Sequence, residues 1–138
     1  MRLRGIKFTQ QDPAMIPAAD RLKMDALWSL GHGLGGVDTV RGAEFQIKHL
    51  LMALKAGDPY RIGRGVAWES ILNASEGGPG GRRRAQFYYT AAQTIATSLG
   101  NEHAAAWSWA AAGYDHWCKG EWEAAISCNE KAARGYRE

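Results

Sequence analysis

The sequence predicts an all-α fold in which six helices pair into three antiparallel hairpins that stack on one another. Three observations carry this expectation. Six segments space their apolar residues with the period of a helix, and none shows the strict alternation of a half-buried strand. Short clusters of Gly, Pro, Asp or Asn separate these segments. Tryptophan recurs at matching places in alternate helices, as Trp28, Trp68 and Trp109, forty and then forty-one residues apart. A chain of 138 residues suits one core or a few stacked units, and with 46% apolar and 22% charged residues it is expected to fold as one piece.

Residues 1–16 read as a basic tail or the end of a preceding helix, and residues 17–138 as the helical domain, with hairpins at 17–56, 58–99 and 101–138. The first helix runs from Pro17 to Leu34, and the second from Thr39 to Ala56 behind an Asp38 cap. Asp58 followed by Pro59 starts the third, because proline at the first turn lacks only an N–H that would be orphaned anyway; this helix continues to Glu76. GGPGG is expected to break it. Arg82 to Leu99 forms the fourth, with Ala85, Tyr88, Tyr89, Ala92, Ile95, Ala96 and Leu99 on its core stripe. Asn101 caps a fifth helix ending near Trp117. After Gly120 a sixth places Trp122, Ala125, Ile126, Asn129, Ala132, Ala133 and Tyr136 along one face.

The second helices share a register as well. Ala43, Ala85 and Ala125 correspond, with Ile47, Tyr89 and Asn129 four residues on and Leu50, Ala92 and Ala132 seven residues on. Small residues at a contact let two helices approach closely, while no hairpin buries its apolar stripe alone. Stacking is therefore obligatory in this reading.

Many function classes are excluded by what the sequence lacks. A net charge of +3 is no nucleic-acid signature, and no apolar run reaches the length of a membrane span or a signal peptide, so the expected address is the cytoplasm. Cys118 and Cys128 are too few for a disulfide framework. With His103 and His116 they offer zinc-ligand types, but His116 and Cys118 lie two apart, on different sides of a helix, so no metal site is expected. Gly31, Gly33 and Gly36 spell GxGxxG, yet they follow a helix rather than a strand, and position 55 is Lys55 where a dinucleotide ribose needs an acid. These glycines read as the end of the first helix. His32 and His49 have no nucleophile at catalytic spacing and read as surface or interface residues, leaving no catalytic residue and no cofactor to propose.

The last hairpin carries Trp109, Gly113, Gly120, Ala125 and Ala132 in the order of a tetratricopeptide repeat, which it resembles in lengthened form; His116 and Asn129 stand where that family has large apolar residues. The stretch MDALWSLGHGLGGVDTVRGAEFQIKHLLMALKAGDPYRIGRGVAWES, with GGPGGRRRA after it, resembles the helical-repeat region C-terminal to the catalytic domain in large bacterial serine/threonine protein kinases. The resemblance implies a non-catalytic part that recognises partners or regulates an attached kinase. ATP binding then belongs to the parent protein, because no Val-Ala-Ile-Lys, His-Arg-Asp or Asp-Phe-Gly motif occurs in this chain. In this reading both ends of the chain are cut edges.

Function is therefore expected on a surface. In the repeat register Trp107, Tyr114 and Trp117 turn toward a concave face, joined by Glu69 and Asn73 one hairpin earlier, and large rigid aromatics are the usual anchors for a protein or peptide partner. Other expected partners are neighbouring repeats or the kinase domain of the parent chain. Arg82, Arg83 and Arg84 place three cations at a helix N-terminus, where the macrodipole disfavours them, and form a candidate anion contact. A second basic stripe with interleaved aromatics is missing, which argues against nucleic acid. A structural spacer without its own ligand is the alternative.

Overall fold

Six α-helices account for nearly all of the regular structure in a computed structural model of the chain, which describes residues 6–137. They are α1 (Ala18–Leu34), α2 (Thr39–Ala56), α3 (Pro59–Ser75), α4 (Gly78–Leu99), α5 (Glu102–Lys119) and α6 (Trp122–Gly135), and no strand occurs among the described residues. Three of the expected side-chain caps are made: Asp38 accepts from the Arg41 amide at 3.1 Å, Asp58 from Arg61 at 3.0 Å and Asn101 from Ala104 at 2.8 Å. The chain divides into two compact units, Met1–Gly65 and Val66–Glu138, with the boundary inside α3 rather than between hairpins.

In the first unit, residues 6–16 contain one 3₁₀ turn, Pro13–Met15, and no α-helix; the rest of the expected tail, residues 1–5, lies outside the described residues. The Gln11 amide donates to Gly57 O at 2.9 Å, which ties this segment to the turn between α2 and α3. Gly57 has φ 72°, and a Cβ there would fall 2.2 Å from Thr9 O, so both backbone conformation and space require glycine. α1 and α2 run antiparallel, with Met24 O opposite His49 and Trp28 O opposite Gln46. Met24, Leu50 and Ile62 are fully buried, each stabilising the unit by about 1.5–3 kcal/mol of apolar transfer.

One expectation in this unit is met and one is corrected. α1 ends at Leu34 as expected, with Gly31 and Gly33 in its last turn, and Gly31 is buried so close to α2 that a Cβ there would fall 2.8 Å from the Gln46 side chain. His49 is a core residue, not a surface one. Its Nδ1 faces Met24 O at 2.9 Å, its Nε2 faces Arg61 O at 3.1 Å, and Trp28 packs on its ring at 5.3 Å. Beside it, Asp25 receives Nε and Nη2 of Arg61 at 3.0 and 2.5 Å and Arg64 Nη2 at 2.5 Å, while Asp58 takes Arg61 Nη1 at 2.7 Å. Arg64 also lies over Trp28, 4.7 Å from the ring centroid.

The second unit is built from small residues. α5 and α6 bury Ala104, Ala106, Ala111, Ala112, Ala125 and Ala132, and a Cβ on Gly135 would lie 2.9 Å from Glu102 O and 3.0 Å from the Ala106 methyl. This close approach rotates α6 away from its expected orientation. Ala125, Cys128, Ala132 and Gly135 face inward, while Trp122 and Ile126, assigned to the core stripe by period alone, are exposed.

GGPGG also behaves differently from a simple breaker. Gly77 and Gly78 take positive φ to turn the chain, but Pro79, Gly80 and Gly81 already belong to the first turn of α4. Gly81 approaches Asn73 O so closely that a Cβ would sit at 2.8 Å. Arg82–Arg84 therefore follow the first helical turn.

Candidate functional site

The described face of α4 opposite its core stripe is polar without being charged. From Ala85 to Asn101 no Asp, Glu, Lys, Arg or His occurs, although such residues are common in the chain as a whole. Thr90, Gln93, Thr94 and Thr97 recur at helical spacing and line one wall of an open groove of about 690 Å³. The α5 wall is formed by Glu102, Ala105, Ser108 and Trp109, and the Gly100–Asn101 turn closes one end.

Hydrogen bonding distinguishes the hydroxyls of this groove. Thr94 returns its proton to Thr90 O at 2.9 Å and Ser98 donates to Ile95 O at 2.8 Å, the usual local bonds of hydroxyls on helices. Ser108 does neither: it is 5% exposed and its Oγ has no hydrogen-bond partner. Trp109 is half-buried, with the Lys131 ammonium 4.3 Å from its ring centroid. Trp28, its expected repeat equivalent, is instead buried against His49 and Arg64.

The aromatic residues expected on a binding face are separated. Trp107 is half-buried and meets Tyr136 and His103 edge-on, at 5.1 and 6.5 Å between centroids. Tyr114 and Trp117 do come together, 5.5 Å apart, with Trp117 54% exposed. Trp122 is 59% exposed just beyond the Gly120 turn. Burial, and next the neighbouring Cys118, push the Tyr114 phenol above its usual range. Burial and Asp115 raise the Cys118 thiol, which makes it a poor nucleophile at neutral pH.

Glu69 and Asn73 are buried rather than presented. Burial, with Glu76 nearby, holds the Glu69 carboxyl above the usual carboxylate range. The Asn73 amide donates to Glu69 O at 2.7 Å and accepts from Arg84 Nε at 2.7 Å, so its side chain is committed to structure. Arg84 also pairs with Glu76, leaving Arg82 and Arg83 as the exposed members of the basic run. Arg84 thus has the structural role that the sequence did not supply for it.

A smaller hollow of about 130 Å³ is lined by Ser70, Tyr89, Asp115, His116 and Lys119 among others. Four of its polar residues are engaged: Ser70 donates to Ala85 O at 2.9 Å, Lys119 pairs with Asp115, and His116 Nδ1 lies 2.5 Å from Glu121. The His116 hydrogen bond depresses the Glu121 carboxyl. No group of three or more His, Cys, Asp or Glu side chains among the described residues is placed to hold a metal, and no described helix is long and apolar enough to cross a membrane.

Thr90, Gln93, Thr94, Thr97 and Ser108 were not singled out from the sequence. The signal that marks them is the missing charge along α4, since a merely solvated helix face is normally charged. Comparison of the chain with family models, with curated proteins and with solved structures returns no match.

Proposed function

We propose that this chain is a non-catalytic protein-interaction module. The observation that supports it best is the exposure of Trp117, Trp122 and Ile126 on the two helices that flank the Gly120 turn, with Tyr114 packed behind Trp117. Large apolar side chains are costly in water, and Trp with Tyr is the composition of an interface hot spot. In this reading the helix pairs form a tetratricopeptide-like stack, supported by the sequence spacing of Trp28, Trp68 and Trp109 alone, since Trp28 and Trp109 have different neighbours. The resemblance of residues 24–70 further supports placement in a bacterial serine/threonine protein kinase, as a part that regulates the kinase or recruits its partners; the genomic reading frame upstream tests this directly.

The interaction itself is tested with immobilised protein and cell lysate. A specific partner is expected to be enriched, and a W117A/W122A variant with an unchanged unfolding midpoint is expected to lose it. A spacer enriches nothing, and a partner retained equally by the variant refutes this surface.

A further inference from the structure

The groove between α4 and α5 has a chemistry that the aromatic corner formed by Tyr114, Trp117 and Trp122 at the Gly120 turn does not use, and each candidate ligand class makes a different demand on it. Phosphate or carboxylate requires a cation in the lining; none is present, and the one charged residue there is the acid Glu102. A sugar is usually held by stacking on an open indole, but the Trp109 ring already carries the Lys131 ammonium. A purely apolar ligand would leave the Ser108 hydroxyl unsatisfied. Peptide main chain fits these constraints, because it is neutral and alternates donors and acceptors that match Gln93, Thr97 and Ser108.

Length agrees with this assignment. Thr90 to Ser98 covers eight helical steps, about 12 Å of wall. That is the reach of about four residues of extended chain.

We infer that this groove is a second binding site, independent of the aromatic corner, and that it takes an uncharged extended segment of a partner polypeptide. Ser108 is the floor group that pairs with one of its amides. Thr97, exposed on the wall, borders the path of the segment. Because the lining carries the acid Glu102 and no cation of its own, and the Lys131 ammonium is engaged on the Trp109 ring, a phosphate on the central residue of the segment prevents entry, so the site discriminates against the phosphorylated form.

The test uses the full chain and a peptide selected on it from a displayed random library, labelled with fluorescein and read by polarisation. Ser108→Ala should weaken binding about fivefold, the worth of one hydrogen bond, with no loss in unfolding midpoint. Thr97→Arg should weaken it about tenfold by filling the wall. The W117A/W122A variant should bind the peptide normally, which separates this site from the proposed interaction surface. A phosphoserine at the centre of the peptide should abolish binding. Displacement of the peptide by maltotriose or by inorganic phosphate would overturn the assignment, as would failure to select any peptide, or selected peptides that bind both groove variants as well as the parent chain.

Discussion

The two units of this molecule are held together by different means. The first combines fully buried large side chains with an ion network: Met24, Leu50 and Ile62 beside Asp25, Asp58, Arg61, Arg64 and the enclosed His49. The second has little buried charge and few large core residues; α5 and α6 meet through alanines and glycines, and the larger apolar groups Trp117, Trp122 and Ile126 are left outside. Close backbone approach and large inward side chains are alternatives, and a helix pair that adopts the first must place its bulk elsewhere. The unit packed through small residues is therefore the one with aromatic surface available for recognition.

The contrast is broken most strongly by removing volume from the first unit. Leu50→Ala should cost about 4 kcal/mol of unfolding free energy in guanidinium titration, because a fully buried leucine leaves a cavity. Arg61→Met should cost about 3 kcal/mol, since it leaves the buried Asp58 carboxylate without its ion pair. In the second unit the sensitive direction reverses: Ala111→Leu should cost about 2 kcal/mol by overpacking. Equal tolerance of leucine and alanine at positions 50 and 111 would erase the distinction.

Acid sharpens it. Burial, against the pull of the two facing carbonyls, brings His49 down to about 4, so the unfolded chain takes up a proton first as pH falls. The folded-state pKa is the lower one, so the stability from a neutral His49 is complete above about 6.5 and declines as pH drops toward 4. Between pH 7 and 5 this group should remove about 2 kcal/mol, and His49→Gln should abolish that share of the slope. Stability that rises instead as pH falls from 7 to 5 would mean that the imidazole is charged in the fold and donates to both Met24 O and Arg61 O, and no slope would mean that folding leaves its pKa unshifted. The smallest effect belongs to the surface of the second unit, where Glu76→Gln should change stability by less than about 0.5 kcal/mol, because its pair with Arg84 is largely in water.

The helices were legible to within a few residues wherever caps and periods agreed, and α2 runs from Thr39 to Ala56 as its sequence predicts. Legibility failed where tertiary contact overrode local pattern. GGPGG contains turn chemistry, yet Gly81 serves the packing of α4 against Asn73, and the inward face of α6 was chosen by the tight Gly135 contact rather than by hydrophobicity. His49 was misplaced for a related reason: nothing local announces that two carbonyls from other helices will enclose its ring. Of the residues expected to form a face, Tyr114 and Trp117 lie together at a surface, whereas Glu69 and Asn73 are buried. Periodicity separates inside from outside, but it does not say which polar groups the neighbouring helices will claim.

The uncharged run on α4 begins after Arg84 and ends before Glu102. Its midpoint, Gln93, is about 13 Å along the helix from Arg84, beyond the screening length of about 8 Å in physiological saline. Glu102 lines the groove from the α5 side, but a neutral segment carries no charge for it to act on, so washing with concentrated sodium chloride should strip partners held by the exposed arginines while leaving an uncharged one held along α4 in place.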